Sequence, residues 1–137
     1  MNKHPYLRAY LAGIAVPTVF LLVGMTVYTV IRYVYDVPLP IERVIVFPMA
    51  AVPNAWGLWN MLYRALFAGR RVSLGVFGAA LPLLLVPCGY VLARLIGFTI
   101  PHIVFVLAPF GLSMLMILYY LVWKYFVGFL NRELGIA

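Results

Sequence analysis

PMAAVPNAWGLWNMLYR, residues 48–64, decides how the chain is read. The run is uncharged until Arg64, yet it holds two amides (Asn54, Asn60), two tryptophans (Trp56, Trp59) and two prolines. On a helix at about 100° per residue, Pro53, Trp56, Gly57, Asn60, Tyr63 and Arg64 share one side. Asn54 and Trp59 point elsewhere. An apolar segment with one polar stripe suits lipid only if the stripe turns toward other helices or a wet cavity.

Composition puts the rest of the chain in the same solvent. Of 137 residues, 66% are hydrophobic and 9% charged, and the mean hydropathy is +1.07. So few charges cannot cover a water-facing surface, where about a quarter of residues are normally charged. The whole chain reads as a single all-α transmembrane domain, an integral membrane four-helix bundle. Its spans are placed at about 10–31, 44–63, 72–93 and 103–123. Met1 to Arg8 is basic, but the apolar run that follows is too long for a signal-peptide core and reads as a retained first span. Pro38 and Pro40 break the first loop, and Gly69 stops the second helix. The tail from Lys124 is expected at or just beyond the interface. Gly75 and Ala79, four apart, offer a close helix approach in the third span.

The net charge of +7 is a topology signal here rather than a nucleic-acid footprint, because the basic residues stand singly or in pairs between apolar runs. Lys3, Arg8, Arg64, Arg70, Arg71, Lys124 and Arg132 fall on one side, against Arg32, Arg43 and Arg94 on the other. Positive-inside logic then places both termini in the cytoplasm, with the chain multi-pass in a cell inner membrane. Pro40/Pro48 and Pro101/Pro109 share a spacing of eight, which admits two parallel helical-hairpin repeats. The single cysteine, Cys88, excludes an internal disulfide and reads as a small buried residue.

Chemistry, if the chain performs any, centres on the stripe. Trp56 offers a flat contact surface, Asn60 a donor–acceptor pair and Arg64 a positive charge, with Tyr63 and Asn54 nearby. These tentative ligand-binding residues suit a small molecule with an apolar body and an anionic or hydrogen-bonding head. The same residues also work as glue between helices, with Arg64 reaching lipid phosphate. Asn54 sits near mid-membrane and needs a partner, for which Thr18, Ser113 or a carbonyl freed by Pro109 are candidates. His102, Asp36 and Glu42 share the outer side but not the spacing of a metal motif, so no metal, cofactor or catalytic residue is assigned. No carboxylate lies inside a span, and no phosphate loop or nucleophile elbow is present.

Pro53-Asn54 with Trp56, Trp59 and Tyr63 resembles the tryptophan-rich sensory (translocator) proteins. The likeness is confined to that stretch. That family has one more span, and its other polar motifs are missing here, so the chain is not assigned to it. The small multidrug transporters share the length, but they carry a first-span glutamate that this sequence lacks. Three readings of function follow. The leading one is a non-catalytic subunit or assembly partner of a larger membrane complex, as a homo-oligomer or with other subunits. Next is a binder or transporter of a small amphipathic molecule. A lipid-modifying enzyme, built on His102, Asp36 and Glu42, is the most distant.

Overall fold

A computed structural model describes residues 3–38, 51–67 and 69–136, and these are all-helical apart from short connections. Helix α1 covers Pro5–Val34, α2 Val52–Phe67, α3 Leu74–Ala79, α4 Leu81–Leu95 and α5 His102–Val122. A π-helical turn at Trp123–Val127 joins α5 to α6, Gly128–Glu133. Three stretches are long and apolar enough to cross a membrane: Pro5–Val34, Leu74–Leu95 and His102–Glu133. The described part of the second expected span, α2, is 16 residues, or about 24 Å of helix, short of a hydrocarbon core of about 30 Å. Its expected start at Val44 lies outside the described residues, as do Pro40 and Pro48 of the repeat.

Helix association in lipid gains little from the hydrophobic effect, because lipid tails are as apolar as leucine. Close packing must supply it instead, and small residues decide where. Gly13 of α1 lies so close to α2 that a Cβ there would stand 2.5 Å from the Trp56 carbonyl oxygen and 2.7 Å from the Gly57 Cα. A Cβ on Gly57 would meet the Tyr10 ring at 2.5 Å. Ala9 and Ala12, nearly sealed from solvent, extend the same face of α1. Ala9 opposes Asn60 while Gly13 opposes Gly57, so the two helices run antiparallel.

The second close approach is not the expected Gly75–Ala79 pair. Gly75 and Gly78 are the buried ones; they receive Tyr120 and Trp123 of the last helix, also three apart. A Cβ on Gly78 would collide with the Trp123 ring. Just beyond, Pro82 has no N–H for the Gly78 carbonyl and its ring presses on that carbonyl, which separates α3 from α4. The Phe77 carbonyl at this break accepts the Trp59 Nε1–H at 2.8 Å.

The helix runs on through the tail to Glu133, with Trp123, Val127 and Asn131 buried. Positions four apart drift by about 40° per step in an α-helix. The wider π turn between Trp123 and Val127 slows that drift and keeps all three facing inward. Cys88 is exposed, not buried, because the core of α4 stops at Leu85.

That last point holds for the whole fold. Arg8 reaches the Leu134 carbonyl and Arg64 the Ile136 carbonyl, so both chain ends share one end of the bundle. All the buried residues among those described lie in the half nearest that end. From 18 to 34, from 86 to 95 and from 102 to 122, no described residue is buried.

Candidate functional site

The face of α2 chosen from periodicity is the face turned inward. Trp56, Gly57 and Asn60 are buried, with Pro53, Tyr63 and Arg64 half-buried beside them. Trp56 packs against Tyr119 and Trp123, ring centroids 4.9 and 5.1 Å away. Its indole N–H donates to the Tyr119 hydroxyl at 3.2 Å. Trp123, fully enclosed, is held by shape alone, since its Nε1 has no partner.

One turn further along α2, Asn60 meets Asn131. The Asn60 Nδ2 donates to the Asn131 Oδ1 at 2.8 Å and to the Ala9 carbonyl at 2.7 Å. Asn131 returns a bond from its own Nδ2 to the Asn60 Oδ1 at 3.1 Å. A carbonyl can only accept, so Ala9 fixes which way the Asn60 amide faces. Both donors and the acceptor of Asn60 are therefore engaged within the protein, and three helices meet at one amide pair. Buried polar groups are expensive unless bonded, and this pair is bonded throughout.

Asn54 has a partner outside the expected set. The Tyr10 hydroxyl donates to its Oδ1. Thr18 instead donates to the Ile14 carbonyl, and Ser113 to the Pro109 carbonyl, each four residues back on its own helix. Asn54 is exposed and does not join Asn60. Trp59, placed off the stripe, has its own role: it stacks on Phe77 with centroids 4.7 Å apart. Tyr63 and Phe67 close on the same ring at 5.4 and 5.3 Å, and the Tyr63 hydroxyl donates to the Val72 carbonyl at 2.7 Å.

Below this clasp the stripe opens into a cavity of about 540 Å³. Arg64 and Tyr63 line it from α2, and Arg70 from the following connection. Lys124 and Arg132 line it from the last helix. The Arg64 guanidinium donates to the Ile136 carbonyl at 2.9 Å and stands 5.9 Å from the Tyr6 ring centroid. The Lys124 ammonium lies 5.6 and 5.4 Å from the Tyr120 and Tyr125 centroids. Gly75 and Gly128 line the cavity without filling it. A separate apolar cleft of about 290 Å³ lies between Phe20, Val52, Trp56 and Leu118.

Of the proposed outer group, Asp36 and His102 are exposed and Glu42 lies outside the described residues. Among the described residues, no three His, Cys, Asp or Glu side chains stand close enough to share a metal ion.

No family model, curated protein or solved structure matches this chain. Its function is therefore argued from the site alone. The sequence reading missed Asn131, Tyr119 and Trp123 as partners of the stripe. The available signal was the spacing of Tyr119, Trp123, Val127 and Asn131, four apart through a tail whose charges suggest an exit from the bundle.

Proposed function

We propose that the chain is a non-catalytic component of a larger assembly in a cell inner membrane. In this reading it has four spans and both termini in the cytoplasm, and its far half presents helix surface to neighbouring membrane spans. The contrast among its helical glycines carries the proposal. Gly13, Gly57, Gly75 and Gly78 each lie against a neighbour so closely that a Cβ would not fit. Among the described residues, Gly24 of α1 and Gly111 of α5 have nothing within 4 Å of a Cβ position. A glycine inside a helix costs about 1 kcal/mol relative to alanine, a cost offset where a neighbouring helix packs into the space a Cβ would fill. Four of these glycines have that compensation within the chain. Two, both on the unpacked half, gain it from a partner helix.

The test is gentle extraction from the native membrane, with crosslinking from cysteines placed at Val23 and Phe110 in a Cys88→Ser background. A stoichiometric membrane polypeptide, or a second copy of the chain, crosslinked from these positions supports the reading. A monomer that crosslinks to no polypeptide contradicts it.

A further inference from the structure

We infer that the cavity at the terminal end is a binding site for the phosphate headgroup of an anionic phospholipid. This does not rest on the assembly reading, which concerns the opposite half of the molecule. Two separated stretches of the chain, 64–70 and 124–132, bring Arg64, Arg70, Lys124 and Arg132 to one cavity of about 540 Å³, and none of its described lining residues is acidic. The chain has only three acidic residues. Of the two that lie among the described residues, Asp36 follows α1 at the end away from Arg8, and Glu133, beside Arg132 in sequence, does not line the cavity.

Cations gathered without a counter-charge repel one another, so an anion placed among them is favoured by each in turn. Guanidinium groups suit phosphate because their planar donors match its oxygens in pairs, and Lys124 adds a point charge. One Nη of Arg64 is engaged by the Ile136 carbonyl, which aims the group without neutralising it.

The walls argue for lipid rather than a free anion. Tyr63, Phe67 and Leu74 face the same space, and an apolar wall next to a cationic rim fits a headgroup with its acyl chains attached. Phe126 and Phe129 stand exposed on the last helix, on either side of the cavity-lining Gly128. Basic pockets between helices at the membrane edge are a recognised setting for anionic headgroups. Gly128 adds no side chain to the space, where a Cβ would stand 3.7 Å from the Arg132 Nη1.

The test uses the full chain in nonionic detergent, read by native mass spectrometry and by thermal stability. The added probes are phosphatidylglycerol, phosphatidylcholine or inorganic phosphate. The expected result is a retained phosphatidylglycerol adduct and a raised melting temperature, with neither from the other two. Arg70→Gln with Lys124→Gln, both exposed in the native fold, should weaken that binding by about thirtyfold, at roughly fivefold per cation beside an anionic headgroup. Ser73→Phe, which narrows the cavity and keeps every charge, should weaken it as well. Arg32→Gln with Arg94→Gln removes equal charge at the far end and should change it by less than about twofold. Equal loss in the near and far pairs overturns the site, because binding would then follow net charge. Equal stabilisation by inorganic phosphate overturns the lipid assignment, as does undiminished binding in the near pair or in Ser73→Phe.

Discussion

Replacing Asn60 by leucine tests whether the bundle is organised around the amide pair. The change removes three hydrogen bonds, one to the Ala9 carbonyl and two shared with Asn131. Such bonds between membrane helices average about 0.6 kcal/mol, so their loss alone costs about 2 kcal/mol. It also strands the Asn131 amide, which is 4% exposed, at a further penalty of about 1–3 kcal/mol. Asn60→Leu should therefore destabilise the fold by about 3–5 kcal/mol. Asn131→Leu should cost less, because Asn60 keeps its bond to Ala9. The double leucine variant strands no amide and should cost about 1–2 kcal/mol, less than Asn60→Leu alone. Trp56, Trp59 and Trp123 all lie in the packed half, so intrinsic fluorescence during unfolding in mixed detergent follows the relevant transition. Two results would refute the reasoning: Asn60→Leu within 0.5 kcal/mol (the usual surface range) of the parent, or a double variant equal to the sum of the singles.

Gly13→Ala should lower the midpoint by the equivalent of about 2 kcal/mol or more, because its Cβ would meet α2 backbone. Gly24→Ala, with open space around it, should be neutral or up to about 1 kcal/mol stabilising by helix propensity; the same unfolding assay compares them. Joint replacement of Arg8 and Arg64 by glutamine removes the donors to the Leu134 and Ile136 carbonyls. Amide hydrogen exchange should then speed up across 128–136 while the 75–85 region stays protected. Cys88→Ala should change stability by less than about 0.5 kcal/mol, since the thiol is exposed and outside the core.

Composition and helical period were enough to read an all-helical chain with helices long and apolar enough to cross a membrane, and to select the inward face of α2. The period holds because Trp56, Gly57 and Asn60 follow one another around that helix at ordinary α spacing. What they face was not legible. Asn131 sits in a tail that contains Lys124, Arg132 and Glu133, and charge there reads as departure from the bundle. Only a π turn keeps that tail in register with Tyr119 and Trp123, and the four-residue spacing that accompanies it passes for ordinary α periodicity. The glycine contacts were half legible. Gly75 was singled out, but its effective partner is Gly78, because the ridge that enters the groove is spaced by three, Tyr120 to Trp123. Cys88 was misplaced because an apolar run in a spanning segment looks the same whether it faces protein or lipid.

The division of the bundle into a packed and an unpacked half follows from where its polar groups lie. Asn60 and Asn131 can be bonded only if three helices converge on one level, and the small residues at Ala9, Gly13, Gly57 and Gly78 permit that convergence. Beyond Val16, Trp56 and Leu85 no described asparagine is buried: Asn54 is exposed and bonds Tyr10 near the packed half, and the Tyr28 hydroxyl bonds no other described helix. Thr18, Thr26, Thr29 and Ser113 all bond back to their own helices and ask nothing of another. Lipid and leucine are nearly equivalent contacts for such a surface, so the far half has no internal reason to close. A helix surface without that reason remains available to another chain, and in this molecule it is the half on which Gly24 and Gly111 lie.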